Sequence, residues 1–269
     1  MSADAAVPLI QVMQDAYELR GVVRLTLNRP DAFNALSEAL LDDMQTHLAD
    51  LAKSDARVVV IAGAGRAFCA GHDLKEMRAA PSLDYYQSLF ARCTKMMLSI
   101  QRMPQPVIAR VHGTATAAGC QLVAMCDLAV AADTARFAVS GVNLGLFCAT
   151  PSVPLSRNLP RKAALEMLLT GDFIDAMAAK QQGLVNRVVP LDMLDAEVAA
   201  LARSICAKPR AAVEAGKGLF YRQLEMGVEA AYQLAGQTMA CNMMDESALE
   251  GVQAFIDKRP PDWPHTPGR

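Results

Sequence analysis

Gly63-Ala64-Gly65-Arg66-Ala67-Phe68-Cys69-Ala70-Gly71-His72-Asp73-Leu74 follows closely on the β-branched run Val58-Val59-Val60-Ile61. A short apolar strand that ends in a glycine-rich turn is where layered α/β folds place their ligands. The run lacks the Gly-Lys-Ser/Thr of a P-loop, and it has no third glycine at the place a dinucleotide fingerprint requires. Read by itself, it is equally a ligand-binding loop or a plain glycine-rich turn.

Working outward, Val22-Val23-Arg24-Leu25-Thr26-Leu27 alternates as a strand and is closed by the turn residues Asn28-Arg29-Pro30-Asp31. Leu40, Leu41, Met44, Leu48 and Leu51 predict a helix from Ser37, its cap, to Ala52. A further helix is expected over 84–101, a strand at Val107-Ile108-Ala109, and a small-residue turn over 114–119. A helix then runs through Met125, and Leu128-Ala129-Val130-Ala131-Ala132 reads as a buried strand. This alternation argues for an α/β layered core. Beyond about Asp192 only helical patterns remain, over 192–207, 210–223, 227–242 and 246–258.

Hydrophobic residues make up 52% of the 269 positions and charged ones 20%, enough to build a sizeable core and to exclude wholesale disorder. Twenty-six basic residues against 28 acidic ones, without a basic cluster, argue against nucleic-acid binding. The stretch from Val111 to Cys126 lacks formal charge but falls short of the ~20 apolar residues of a membrane span. Neither a secretory signal nor a transit peptide is read in Met1–Pro8. The seven cysteines are scattered without a C-x-x-C pair, and the four histidines show no metal spacing. The expectation is a reduced, cytoplasmic protein with no metal site.

Ala117-Ala118-Gly119-Cys120-Gln121-Leu122 is the second candidate for chemistry. Small residues at a helix start let a group approach the free N–H groups there, which suits a developing oxyanion; close helix–sheet packing is the alternative. Taken with the first run, with Asn28-Arg29-Pro30 and Asn34-Ala35-Leu36, with His112-Gly113 and Cys126-Asp127-Leu128, and with Leu169-Thr170-Gly171, Ala179, Gly183-Leu184-Val185, Phe255 and Lys258-Arg259, the chain resembles the enoyl-CoA hydratase/isomerase (crotonase) superfamily. The order and spacing of these segments, from about Val22 to Trp263, carry the resemblance.

The resemblance implies an α/β spiral of ββα turns over residues 1–203 and a C-terminal helical oligomerisation region over 204–269, assembling trimers or hexamers. It implies an acyl-CoA thioester as ligand, with coenzyme A entering as part of the substrate and no permanently bound cofactor. By position, the oxyanion hole falls on the backbone N–H groups of His72 and Ala118, and loss of one such donor costs ~2.7–4 kcal/mol of activation. Asp31, Ala32, Ala70, His72, Asp73, Leu74, Ala118 and Gly119 would border the thioester and the CoA channel. Phe255 and Lys258 match the residues that reach CoA, from a neighbouring subunit.

The resemblance fails where hydration needs it most. The two glutamates of the hydratases correspond here to Gln121 and Gly141, and Val139 to Cys148 contains no acidic residue. A glutamine can hold water but cannot exchange a proton near neutral pH. General acid–base catalysis contributes roughly 10²–10⁴-fold, so hydration is expected to be weak. This pattern is similar to the enoyl-CoA hydratase domain-containing protein 3 subgroup, while Gly71-His72-Asp73 also resembles methylmalonyl-CoA decarboxylase. Three functions stand open: a weak hydratase-like enzyme, another enolate chemistry such as decarboxylation or thioester hydrolysis, and a catalytically silent acyl-CoA binder.

Overall fold

The computed structural model describes residues 7–79 and 81–263; the readings of the first six positions and of the tail past Trp263 lie outside them. The chain opens with strands β1 (Ile10–Met13) and β2 (Val22–Leu27), helix α1 (Glu38–Leu51), strands β3 (Val58–Gly63) and β4 (Ala67–Cys69), and helices α2 (Leu74–Ala79) and α3 (Leu83–Arg102). Next come β5 (Val107–Val111), β6 (Thr114–Thr116), α4 (Ala118–Met125), β7 (Leu128–Ala132), β8 (Arg136–Ala138), α5 (Ala149–Asn158) and α6 (Arg161–Thr170). The last part holds β9 (Ile174–Asp175), α7 (Ala176–Gln181), β10 (Arg187–Val189), α8 (Leu194–Cys206), α9 (Arg210–Leu224), α10 (Val228–Met243) and α11 (Glu246–Ile256).

Two sheets emerge, a six-stranded one in the order β1-β2-β3-β5-β7-β10 and a four-stranded one in the order β4-β6-β8-β9. β3 and β4, β5 and β6, and β7 and β8 each give one strand to either sheet before the chain turns into helix. That is the expected ββα spiral. The pairings β2–β3, β3–β5, β5–β7 and β7–β10 are parallel, as are β4–β6 and β6–β8.

Parallel strands covered on both faces need no polar alternation, which is why Val58-Val59-Val60-Ile61 is apolar throughout. Val59 and Ile61 pack toward α1, α3 and α4, whereas Val58 and Val60 meet Leu194, Val198 and Ala202 of α8. Ser37 caps α1 by accepting from Leu40 N at 3.2 Å. Thr114–Thr116, expected as a turn, is instead the strand β6, because its backbone finds ladder partners in β4 and β8. Packing changes after α8, which runs through the 203/204 division. α9 and α10 bury no residue in the single chain.

Candidate active site: two free amides beside a filled acid–base wall

The site begins with a bridge. Leu36 N donates to Gly71 O at 2.7 Å and Asp73 N donates to Leu36 O at 3.1 Å, a parallel bridge centred on His72. The central residue of such a bridge turns its own N–H to the opposite side, so the His72 amide points away from Leu36. Gly71 has φ +97°, and a Cβ there would lie 2.9 Å from Ala117 Cβ and 3.3 Å from Ala118 N. Glycine is therefore required for the close approach of this loop to the start of α4.

Ala117 is held at φ 49°, ψ −119°, an unusual conformation for a residue with a Cβ. Its N–H is fixed by Ala138 O at 2.9 Å. This bend launches α4 so that Gly119 rests on β4; a Cβ on Gly119 would come within 2.1 Å of Cys69 O. Thr116 Oγ1 donates to Ala70 O at 3.0 Å and ties the two segments together. Among the described residues, neither the His72 nor the Ala118 N–H donates to a protein acceptor. Ala118 is the first residue of a helix, whose leading amides have no partner inside it. All eight residues of α4 are buried, so water does not screen the positive potential at that end.

The same loop gathers the other expected channel residues. Ala70 N donates to Phe33 O at 3.0 Å, which sets the Pro30–Ala32 turn, with Asp31 and Ala32, beside Ala70. Arg29 Nη2 donates to Asp73 Oδ2 at 2.9 Å, while Asp73 Oδ1 accepts the N–H groups of Lys75 and Glu76 at the start of α2, just past Leu74. Burial raises the Asp73 carboxyl, but Arg29 and those amides outweigh it and hold the group below its ordinary range. Asp73 is therefore a structural anion rather than a proton donor. Asn34, quoted above only as part of a motif, is the hub of the loop. It is fully buried with φ 56°, accepts from Arg29 N, and donates to Ala64 O, Ala67 O and Phe68 O. The only local sign was an asparagine, a residue that enters the left-handed region at low cost.

The His72 side chain turns into an aromatic setting, with the Phe90 ring edge-on at 5.5 Å. Burial pushes its imidazole down to about 4, so it is neutral at physiological pH. Phe90 was not anticipated, because nothing in the helical pattern of α3 distinguished it from a core residue.

The other wall differs. Gln121 lies one turn along α4 from Ala118, on the same face, and helical side chains lean toward the N-terminus. It is 4% exposed, and its Oε1 is enclosed without a hydrogen-bond partner. Gly141 N donates to Cys148 Sγ at 3.3 Å. A Cβ on Gly141 would fall 2.7 Å from that sulfur and 2.7 Å from Leu146 O. Cys148 thus occupies the space a side chain at 141 would need, and burial raises its thiol against a small opposing pull from the Gly141 amide. The nearest acids in sequence are committed elsewhere. Asp127 accepts from Lys217, Tyr221 and Val107 N, and Asp133 is exposed.

Phe255 and Lys258 are not brought to this cleft by the single chain. Phe255 is 86% exposed and lines a groove within the C-terminal helices, beside Trp263 and Pro209. Among the described residues no cluster of three metal-ligating side chains occurs, and no helix is long and apolar enough to cross a membrane.

Residues 18–266 match the enoyl-CoA hydratase/isomerase family. The chain belongs to that family. It is 46% identical to the mitochondrial enoyl-CoA hydratase domain-containing protein 3 of Mus musculus over 246 residues, covering 91% of this chain and 82% of that protein. The Homo sapiens protein of the same name is likewise 46% identical, over 94% of this chain and 84% of its own length. Among solved structures, the enoyl-CoA hydratase of Mycobacterium smegmatis superposes with a TM-score of 0.93 at 65% identity, covering 96% of this chain and 99% of that one. The human domain-containing protein 3 gives 0.90 at 44% identity, over 95% and 100%. The α/β spiral with a C-terminal helical region is thus the fold of enoyl-CoA hydratase structures, and the subgroup resemblance read from Gln121 and Gly141 agrees with these relatives.

Proposed function

We propose that the protein binds an acyl-CoA thioester with the carbonyl oxygen between the His72 and Ala118 amides, and that it stabilises negative charge there. The supporting observation is the pair of unpartnered N–H groups that meet across Gly71. Donors fixed by the backbone need no reorganisation as the oxygen becomes an enolate, which is where such holes exert their effect. Coenzyme A is then part of the substrate, threading past Asp31, Ala32, Ala70 and Leu74.

Hydration is the weak step of this site. Water must add at one carbon and a proton must reach its neighbour, yet Gln121 offers only hydrogen bonds and Gly141 offers no side chain. A second reading follows from His72. Loss of CO2 from a carboxylated acyl group needs an enolate hole but no base, and a neutral imidazole beside Phe90 leaves a carboxylate without a counter-charge. Incubation with crotonyl-CoA, methylmalonyl-CoA and saturated acyl-CoAs, followed by mass spectrometry, separates these readings. Calorimetry on the same esters tests binding itself; failure of every ester to bind would remove the proposal.

The assembly we infer is a trimer or a dimer of trimers. Val228, Tyr232, Met244 and Phe255 are each more than 70% exposed, and such an apolar surface is covered by partner chains in stable oligomers. In that arrangement Phe255 and Lys258 would serve the CoA of a neighbouring subunit. Sedimentation velocity giving a monomer at micromolar concentration would contradict this.

A further inference from the structure

α4 has two ends, and both are managed. Its N-terminal end faces the candidate thioester site. Its C-terminal end leads within two residues to Asp127, a carboxylate placed where the helix dipole is negative and, with its side chain 12% exposed, only weakly screened by water. Left alone, that arrangement is doubly unfavourable, and its field would reach along the helix toward Ala118.

The compensating charge comes from the C-terminal helices. Lys217 of α9, with its side chain 6% exposed, donates to Asp127 Oδ2 at 2.6 Å, and also to Ile100 O and Gln105 O at 2.8 Å. Tyr221, one turn further along α9, donates to Asp127 Oδ1 at 2.7 Å, and Val107 N supplies a further donor to Oδ2. Every Lys217 proton has an acceptor, and both oxygens of Asp127 are occupied. The contact is polar at an otherwise sparse junction, since α9 contributes no buried apolar residue to it.

We infer that Lys217 is a positioning residue for the oxyanion hole: by neutralising Asp127 it keeps the positive end of α4 effective at Ala118, and so links the C-terminal helices to the thioester site. This rests on the acyl-CoA reading above. Eight residues at ~1.5 Å each put the two ends of α4 about 12 Å apart. At that distance, in a protein interior, one unit of charge changes an ionisation equilibrium by about five- to tenfold.

The test is the ionisation of bound acetoacetyl-CoA, whose enolate absorbs in the ultraviolet and carries its charge at the thioester and ketone oxygens. The apparent ionisation constant is measured by pH titration for the full-length wild type, Lys217→Met, Asp127→Asn and the double variant, with melting temperature recorded for each. The inference expects Lys217→Met to weaken ionisation of the ligand about five- to tenfold, because a carboxylate is left uncompensated. Asp127→Asn should strengthen it, because an ammonium is left uncompensated, and the double variant should return near wild type. Other titratable groups facing Asp127 are Cys126 and Tyr221, and all four proteins retain them. Both single variants moving in the same direction, or neither moving while melting falls, would reduce the pair to a structural dock and overturn the inference. A folded wild type that binds no acetoacetyl-CoA would instead overturn the acyl-CoA reading. If Lys217→Met does not fold, the opposite shifts expected of Asp127→Asn and the double variant still decide the matter.

Discussion

The two halves of the candidate site each turn on a glycine, Gly71 on one and Gly141 on the other, and come out opposite. On the Gly71–Ala118 wall, the absence of a side chain at Gly71 lets the loop approach α4 closely and leaves directed N–H groups beside it. On the Gln121–Gly141 wall, absence of a side chain at 141 opens no space, because Cys148 and Leu146 O have taken it. A missing carboxylate there is thus more than one substitution. The loop has closed over position 141; on the function proposed above, charge stabilisation and proton transfer are thereby separated.

The largest effect is expected from the amide wall. Ala118→Pro removes one N–H while fitting the first turn of a helix. It should lower any enolate-forming turnover by roughly 10²–10³-fold, and melting should fall as well, because Ala117 at φ 49°, ψ −119° lies outside the extended region that a residue before proline prefers; unchanged turnover in the folded variant would mean that the Ala118 amide does not face the reacting oxygen. Gly119→Ala attacks the same wall through packing. Its Cβ would sit 2.1 Å from Cys69 O, a backbone atom, so the helix must shift. A loss of about 3 kcal/mol in urea unfolding is expected.

The imidazole gives a pH signature between the walls. The unfolded His72 titrates near 6.5 and the folded one at about 4, so the unfolded state takes up its proton first as pH falls. Stability present above 6.5 should be lost on going toward 4, by roughly 2–3 kcal/mol. Melting temperature against pH should therefore fall more steeply for the wild type than for His72→Gln; parallel curves would mean the imidazole is wetter than it is in this structure. The smallest effect sharpens the contrast most. Gln121→Glu should raise crotonyl-CoA hydration by roughly tenfold, restoring one proton carrier in a position that already holds a side chain of that length. Gly141→Glu should raise nothing and should melt lower, because its Cβ meets Cys148 Sγ and Leu146 O.

Much of the fold was legible because its signals are local. Val22–Leu27, Val58–Ile61 and the Ser37 cap depend on periodicity and on a single hydrogen bond. Thr114–Thr116 was misread as a turn because a strand of three small residues carries no pattern of its own and exists only through β4 and β8. In the site, the expected donors at His72 and Ala118 are backbone groups, which survive any side-chain change, and the structure leaves both without a protein acceptor among the described residues. The hub role of Asn34, the Phe90 edge against His72 and the Cys148 sulfur filling the space at Gly141 were not legible. Each depends on contacts between residues distant in sequence or on the path of a loop, which composition does not encode. The pattern in the sequence changes at about Asp192 and the division at 203/204 came with the resemblance, whereas the packing changes after Cys206, where helices stop meeting the sheet.

Steady-state hydration of crotonyl-CoA by the wild type, run beside calorimetric titration of a saturated acyl-CoA, tests the central claim most directly. The account predicts that the thioester binds and that water adds at least ~100-fold more slowly than in a hydratase carrying both glutamates. Binding accompanied by hydration within about tenfold of such an enzyme would contradict it, since an efficient proton carrier would then have to stand where Gln121 and Gly141 leave none.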